Sequence, residues 1–316
     1  MKLLVLGAGA IGGYFGGRLA ESGADVTFLV RPKRRDQLQK DGLRVESKLG
    51  NISRPVNTVL AGDVKPGYDL VLFTCKAYDL DSAMDAIAPA MTGSCALVPM
   101  LNGMSHYERL DAKFGRPAIL GGTCFIDSAL RKDGVIKHGE SLQRLVFGER
   151  DDEKPAPPSA RARAFGDALA RAKVEFEISG NIQLVLWEKL LFLAALASIT
   201  CLFRGNIKEI MSAPGGREAM ERALKANIEI ATREGYAPRA PALEFAYQRG
   251  TDANGPWMAS MLRDVEAGNP VEADHIIGWM LAKARKHRVD DGMLSLALTH
   301  LKTYEARRAG ERLPGS

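Results

Sequence analysis

Three glycines near the start of the chain have a spacing that suits phosphate binding. Gly7, Gly9 and Gly12 follow the apolar run KLLVL and open a helix predicted over residues 11–22. In such a turn the first glycine permits a tight bend, the second lets a pyrophosphate approach the backbone, and the third allows close helix–strand packing. The helix N-terminus also attracts anions. The pattern predicts a dinucleotide-binding turn that includes Ala10 and Ile11, with a purely structural turn as the alternative.

The end of the next predicted strand, residues 25–30, distinguishes the two nicotinamide cofactors. An acidic residue there would hold the ribose 2′-hydroxyl of NAD, whereas an arginine suits the 2′-phosphate of NADP. The chain reads FLVRPKRR, with Arg31 at this place and Lys33, Arg34 and Arg35 behind it. No Asp or Glu competes with Arg31 for this place in the run. The run therefore predicts NADP (NADPH), and a solvated basic loop is the alternative.

A long apolar run with one lysine at its entrance lies in the second half of the chain. Residues 190–203 are apolar apart from one serine and one threonine, and Lys189 precedes them. A membrane span needs about 20 such residues, so this run predicts a core helix and no membrane insertion. The N-terminus runs straight into glycines without a cleavage pattern, which argues against a signal peptide.

Composition limits the remaining classes of function. The net charge is +5 and no Lys/Arg block is interleaved with aromatic residues, so a small anionic ligand is favoured over nucleic acid. The four cysteines are widely separated, which predicts reduced thiols and a cytoplasmic protein. The five histidines show no metal-ligand spacing, and we expect no metal site.

The elements that must position these residues change character along the chain. Strands predicted at 2–6, 25–30, 69–74, 95–100 and 118–121 alternate with helices such as 79–91, which indicates a parallel sheet covered on both faces. Residues 151–160 predict a surface loop, and 161–173 predict a helix followed by a strand. From about residue 181 the periodicity is helical. Two domains are expected, with a boundary near residue 180.

Several motifs together resemble the ketopantoate reductases (2-dehydropantoate 2-reductases) along nearly the whole chain. They are the GxGxxGG start, Arg31, TCKAYD at 74–79, LNGM at 101–104, WEKL at 187–190 and SMLRDVEAGNPVEAD at 260–274. The resemblance implies an α/β Rossmann-type N-terminal domain (1–180) that binds NADP and an all-α C-terminal domain (181–316) that carries substrate and catalytic residues. It also implies an active site in the cleft between them. The implied reaction is the NADPH-dependent reduction of ketopantoate to pantoate, a step toward pantothenate.

The resemblance also implies roles for particular residues. Lys189 matches the family's catalytic lysine, Glu272 its acid, Ser260 a substrate-contacting serine, and Asn102 and Lys76 residues beside the nicotinamide and substrate. A lysine ammonium can stabilise the negative charge that hydride delivery builds on a ketone oxygen, and it can donate the proton. The structural alternatives are the solvent end of a core helix for Lys189, surface positions for Glu272 and Lys76, and a turn cap for Asn102.

The chain departs from the family pattern after the catalytic lysine. The asparagines that usually stand four and eight residues further on are Leu193 and Ala197 here, and Thr200 is the polar residue left near that face. After Glu272 the chain reads ADHIIG, which offers His275 as a substitute polar contact. These changes predict a 2-keto acid substrate that is either ketopantoate or a more apolar one. A non-catalytic NADP-binding protein is the other alternative.

Self-association is a further expectation for the helical half. Trp257, Trp279 and the amphipathic stretch 276–287 offer apolar surface for a homodimer, and the same residues suit a domain core equally well.

Overall fold

The computed structural model describes residues 1–150 and 157–313, and the chain forms two compact units. The first unit comprises Met1–Leu101 and His106–Gln183, and the second comprises Asn102–Ser105 and Leu184–Ser316. Residues 151–156 of the predicted surface loop lie outside the described residues.

The first unit contains a parallel five-stranded sheet and a second, mixed sheet. In chain order its elements are β1 (Lys2–Leu6), α1 (Ala10–Glu21), β2 (Asp25–Leu29), α2 (Pro32–Asp41), β3 (Leu43–Glu46), β4 (Ile52–Arg54), β5 (Asn57–Val59), β6 (Leu70–Phe73), α3 (Leu80–Ile87), β7 (Ala96–Pro99), α4 (His106–Phe114), β8 (Gly121–Leu130), β9 (Ile136–Gly148), α5 (Ala160–Arg171) and β10 (Glu175–Ile178). The parallel sheet has the order β5-β2-β1-β6-β7. Strands β6 and β7 are buried at every position, as expected for a sheet covered on both faces.

The second sheet is the part of this unit that the sequence did not predict. Its order is β10-β9-β3-β4, and β8 pairs with β9 as a long antiparallel hairpin. The predicted strand at 118–121 was wrong, because Arg116–Ala118 form a 3₁₀ turn and Ile119 makes only an isolated bridge to Leu97. The strand begins at Gly121 and belongs to the second sheet.

Helix α1 packs against both sheets through four glycines. A Cβ atom on Gly12 or Gly16 would press on Val5 and Phe28 of the parallel sheet. A Cβ atom on Gly13 or Gly17 would press on Ile136 and Leu43 of the second sheet. Residues four apart share a helix face, so each pair of glycines lets one sheet approach the helix backbone closely.

The second unit is helical apart from its connecting segments, as the sequence predicted. Its elements are α6 (Ile182–Phe203), α7 (Ile207–Ser212), α8 (Gly216–Arg233), α9 (Ala240–Gly250), α10 (Ser260–Glu266), a π-helical turn (Asp274–Gly278), α11 (Trp279–His287) and α12 (Gly292–Ala309), with the first two residues of α6 grouped with the first unit. Helix α6 is long and apolar enough to cross a membrane, but 72% of its most apolar 18-residue window is buried by the protein itself. That burial is typical of a core helix.

Candidate active site

The glycine-rich turn has the geometry that the sequence predicted for it. Gly7 has φ +92°, a value that favours glycine, and its N–H donates to the Leu29 carbonyl of β2 at 2.8 Å. A Cβ atom on Gly12 would lie 2.3 Å from the Gly7 carbonyl oxygen and 2.3 Å from Thr74 Oγ1. Gly7 and Gly12 are therefore required by the fold of the turn itself.

Gly9 is different, because the fold does not explain why it is a glycine. It is the N-cap of α1 with φ −87° and ψ −160°, and nothing lies within 4 Å of the place where its Cβ would be. The helix that follows has no side-chain cap and no acidic residue in its first turn. A helix N-terminus with this open approach can accept an anion, so the turn formed by Gly7, Gly9, Ala10, Ile11 and Gly12 fits a dinucleotide pyrophosphate.

Arg31 lies where the sequence placed it, two residues after the end of β2, but an acidic side chain does compete for it. Its Nη2 is 2.8 Å from Asp79 Oδ1, in an ion pair whose side chains are 74% and 31% exposed. Asp79 ends the 3₁₀ turn Ala77–Asp79 that follows β6. The sequence did not reveal this pair, because Asp79 is distant in sequence and is brought close by the strand order.

Arg34 supports the glycine-rich turn rather than extending the basic cluster. Its Nε donates to the Ala8 carbonyl at 3.1 Å, and its Nη1 donates to Gln37 and to the Gly134 carbonyl. Burial, with Arg44 nearby, lowers the pKa of Arg34. The basic run after β2 therefore divides into a residue that holds the turn in place and an exposed residue, Arg31, that remains accessible to a ligand.

Lys76 stands at the carboxyl end of β6, as the N-cap of the 3₁₀ turn that Asp79 ends. It is half-buried and belongs to the first unit, together with the glycine-rich turn and Arg31. The carboxyl ends of parallel strands are where ligands bind in such sheets. Lys76, Arg31 and the turn thus all lie at the same edge of the parallel sheet.

Helix α6 presents Lys189 half-buried near its N-terminal end. Four residues on, Leu193 is also half-buried, whereas Ala197 is only 1% exposed. The face that carries the lysine therefore continues as apolar surface contributed by Leu193. Ala197 is covered by the protein and offers little to a ligand.

Thr200 does not supply the polar contact that the sequence left open. It is fully buried, its hydroxyl donates to the Leu196 carbonyl at 2.7 Å, and the same oxygen accepts from the Ala259 N–H at 3.4 Å. Both functions of the hydroxyl are used within the protein. Because Ala259 is the N-cap of α10, Thr200 anchors the start of the helix whose first residue is Ser260.

The residue before Lys189 has a structural role that the sequence did not reveal. The Glu188 carboxylate accepts from the backbone N–H and from Nε of Arg239, both at 2.8 Å, and its side chain is only 9% exposed. Arg239 is the N-cap of α9. Glu188 therefore fixes α6 to the start of α9.

Residues close in sequence to Ser260 and Glu272 contact α6. Ser260 begins α10 and is half-buried, and Ala259 before it bonds to Thr200 near the end of α6. Glu272 is 9% exposed and lies just before the π-helical turn Asp274–Gly278. The next residue after that turn, Trp279, packs on Trp187 with ring centroids 5.3 Å apart.

Asn102 belongs to a short loop that is bound to the π-helical turn by His275. Nδ1 of His275 lies 2.5 Å from the Ser105 hydroxyl, and the ring also bonds to the backbone of Asn102. Gly103, with φ +83°, packs so closely that a Cβ there would lie 3.0 Å from the imidazole. Burial lowers the pKa of His275, although the Glu272 carboxylate opposes this. His275 therefore holds the Asn102–Ser105 loop, which the sequence did not predict.

The predicted residues thus fall into two groups, one in each unit. The first unit holds the glycine-rich turn, Arg31 and Lys76, and the second holds Asn102, Lys189, Ser260 and Glu272. Among residues 1–150 and 157–313 there is no group of three or more histidine, cysteine or acidic side chains placed to hold a metal ion.

Comparisons with known proteins find two family matches in succession along the chain. Residues 3–152 match the family described as Ketopantoate reductase PanE/ApbA, and residues 181–305 match the family described as its C terminal. The uncharacterized oxidoreductase YkpB of Bacillus subtilis (strain 168) is 39% identical over 309 residues, which cover 98% of this chain and 100% of that protein. A 2-dehydropantoate 2-reductase of Mesorhizobium japonicum is 26% identical over 298 residues, which cover 88% and 89% of the two chains.

A solved structure shares the fold. The ternary complex of D-mandelate dehydrogenase with NADH and anilino(oxo)acetate matches with a TM-score of 0.86, covering 98% of this chain and 100% of that one. The two sequences are only 20% identical, so this likeness concerns the fold alone.

Proposed function

The chain belongs to the ketopantoate reductase family, and from that premise we propose that it reduces a 2-keto acid to a 2-hydroxy acid with NADPH. As a member of this family it is an oxidoreductase that uses a nicotinamide cofactor. That the cofactor is NADPH and that the substrate is ketopantoate are parts of the proposal. The observation that carries it is Lys189, a half-buried lysine on an otherwise apolar face of α6.

The residues of the first unit fit the cofactor. The open space at Gly9 and the uncapped N-terminus of α1 suit a pyrophosphate, and Arg31 suits a 2′-phosphate. When bound, the reduced nicotinamide supplies the hydride. Lys76 would lie at the same edge of the sheet and help to orient the cofactor and substrate.

The residues of the second unit supply the proton and the orientation. As the ketone is reduced, negative charge develops on its oxygen, and Lys189 Nζ stabilises this charge and donates a proton to form the hydroxyl. Solvent then returns a proton to the amine. The buried carboxylate of Glu272 would orient the new hydroxyl or the lysine, while Ser260 and Asn102 would contact the substrate.

The apolar face beside Lys189 supports a second candidate substrate. Leu193 stands where the family pattern has an amide, and Thr200 is occupied inside the protein. A pocket without this amide discriminates less in favour of a substrate hydroxyl. A 2-keto acid with a larger apolar side chain is therefore the alternative to ketopantoate. The fold does not decide between them, since it also occurs in a D-mandelate dehydrogenase.

The proposal extends to the setting of the enzyme. We expect a cytoplasmic protein that acts on a small molecule, and a homodimer is a further expectation. Size-exclusion chromatography with light scattering would measure the oligomeric state directly, and a monomer at all accessible concentrations would contradict the dimer.

The first experiment is a substrate panel with the purified protein. Oxidation of NADPH would be followed by its absorbance with ketopantoate and with larger apolar 2-keto acids. Fast turnover of ketopantoate alone would support the first candidate, and preference for a bulkier acid would support the second. Absence of turnover with every acid, beside tight NADPH binding, would favour a non-catalytic NADP-binding protein.

A second experiment tests the lysine. Lys189→Ala should bind NADPH normally and lose reduction, because the proton donor is removed while the first unit is unchanged. Lys208→Ala, which removes an exposed lysine from α7, is the matched control and should keep full activity. Normal reduction by Lys189→Ala would remove Lys189 from the mechanism.

A further inference from the structure

The ion pair between Arg31 and Asp79 joins the ends of the two strands that flank β1. Arg31 follows β2, and Asp79 ends the turn after β6. In the sheet, β2 and β6 are the neighbours on either side of β1. Two strand spacings separate them by roughly 10 Å, a distance that an extended arginine side chain helps to bridge. The pair therefore lies at the strand ends beside the glycine-rich turn.

This place is also where the order of the strands reverses. From β1 the chain proceeds to β2 and β5 on one side of the sheet, and it then returns to β6 and β7 on the other side. Dinucleotides bind at the carboxyl ends of strands at such a switch point. The Asp79 carboxylate is thus a fixed negative charge at the edge where the proposed cofactor would bind, in contact with the arginine proposed to hold its 2′-phosphate.

The Asp79 carboxylate opposes the binding of a 2′-phosphate in two ways. Arg31 must leave Asp79, at least in part, before it can bind a phosphate. The carboxylate also repels a 2′-phosphate, which carries roughly 1.5 to 2 negative charges at neutral pH if it ionises as other phosphate monoesters do. The pair is exposed, at 74% and 31%, and exposed pairs are weak enough for a ligand to displace.

We propose that Asp79 is a selectivity residue that lowers the preference of this protein for NADPH over NADH. The proposal rests on the proposed function, because it takes Arg31 as the partner of the 2′-phosphate. NADH has a hydroxyl at that position, so its binding does not require Arg31 to exchange a carboxylate for a phosphate. The pyrophosphate is common to both cofactors, and repulsion between it and Asp79 cancels when the two affinities are compared.

Asp79→Asn tests this with a side chain of the same shape and no charge. Titration of the intrinsic fluorescence with each cofactor would give a Kd for NADPH and a Kd for NADH. We expect the ratio of the NADH Kd to the NADPH Kd to rise about three- to tenfold, as expected for removing one exposed charge interaction. Asp79→Ser makes the same charge change with a smaller side chain and should shift the ratio in the same direction.

Asp81→Asn is the matched control. Asp81 is an exposed carboxylate two residues further on, and it pairs with Arg109 rather than with Arg31. Asp81→Asn makes the same change in net charge as Asp79→Asn and should leave the ratio of the NADH Kd to the NADPH Kd unchanged. An equal shift in Asp79→Asn and Asp81→Asn would overturn the proposal, because the effect would then come from net charge alone.

The remaining outcomes separate this proposal from the proposed function. If Arg31→Ala lowers the ratio while Asp79→Asn leaves it unchanged, Arg31 binds the 2′-phosphate and Asp79 has no part in selectivity. If Asp79→Asn shifts the ratio in the wild-type background but not in an Arg31→Ala background, the carboxylate acts by competing for Arg31. A shift that persists in the Arg31→Ala background comes from direct repulsion of the 2′-phosphate. If the unmodified protein binds neither cofactor, the proposed function itself fails.

Discussion

A methyl group added at Gly9 would separate the binding role of the glycine-rich turn from its structural role. Gly9 has φ −87°, which alanine adopts readily, and nothing lies within 4 Å of the added carbon. Gly12→Ala is the contrasting change, since its Cβ would lie 2.3 Å from the Gly7 carbonyl oxygen. We predict that Gly9→Ala folds normally and loses cofactor affinity, whereas Gly12→Ala loses stability.

The expected magnitudes follow from these distances. At an N-cap, alanine is less favourable than glycine by up to about 1 kcal/mol. Replacing glycine by alanine also lowers the conformational entropy of the unfolded chain, which stabilises the folded protein by about 0.4–1 kcal/mol. The free energy of unfolding of Gly9→Ala should therefore stay within about 1 kcal/mol of the original. Gly12→Ala forces an overpacked contact against backbone and should lose about 3 kcal/mol or more.

Cofactor affinity, unlike stability, should be strongly reduced by the change at Gly9. The methyl group at Gly9 would keep a pyrophosphate from the backbone N–H groups of α1, and a hydrogen bond to a charged group contributes about 1.5–3 kcal/mol. The Kd for NADPH should rise about ten- to hundredfold, since about 1.4 kcal/mol corresponds to a factor of ten. Urea denaturation and cofactor titration on the same preparations measure both quantities. An unchanged Kd in a folded Gly9→Ala protein would refute the reasoning and identify the turn as purely structural.

Four further changes have expected outcomes. Thr200→Val should lower the free energy of unfolding by about 1–3 kcal/mol, because the buried Ala259 N–H loses its acceptor, whereas Thr200→Ser should restore most of it in urea denaturation. Burial alone would raise the pKa of Glu234, but hydrogen bonds from Lys283, Lys286 and His287 together hold it at about 2. Its contribution to stability is therefore present above pH 4.5 and lost as the pH falls toward 2, and Glu234→Gln should remove this dependence in acid-unfolding curves. Burial lowers the pKa of His275 from 6.5, so the folded protein should lose stability as the pH falls below 6.5; a slope that His275→Gln leaves unchanged would contradict this. Leu193→Asn should shift the ratio of kcat/KM toward ketopantoate and away from apolar 2-keto acids, and an unchanged ratio would show that position 193 does not contact the substrate.

Local patterns made the start of the first unit predictable. The run from β1 through the turn and α1 to β2 depends on neighbouring residues alone, namely an apolar strand, spaced glycines and a helix. The second sheet was missed because β3 and β4 are only four and three residues long, too short for a clear alternation. The Asp133-Gly134 pair between β8 and β9, with Gly134 at φ +80°, was a hairpin signal that could have revealed the longest strands.

Pairings between distant residues were not predictable for the candidate site. Arg31 could be placed by its offset from the glycines, but its partner Asp79 depends on which strands flank β1. Arg34 belonged to the basic run behind Arg31, and only the fold shows that it bonds to the Ala8 carbonyl. Thr200 likewise bonds to a backbone group 59 residues away. Residue types identify candidates, while the partners that occupy them are determined by the tertiary structure.

The partners of α6 described above lie later in the chain than the helix itself, which has a consequence for synthesis on the ribosome. Arg239, which donates to the Glu188 carboxylate, lies 51 residues further on, and Trp279 follows Trp187 by 92 residues. Because synthesis adds roughly 5–20 residues per second, these contacts become available several seconds after the helix has been made. During that time its apolar surface is exposed to chaperones and to other nascent chains. Truncation before α8 should therefore leave a fragment that aggregates, although the strands of the first unit are already complete.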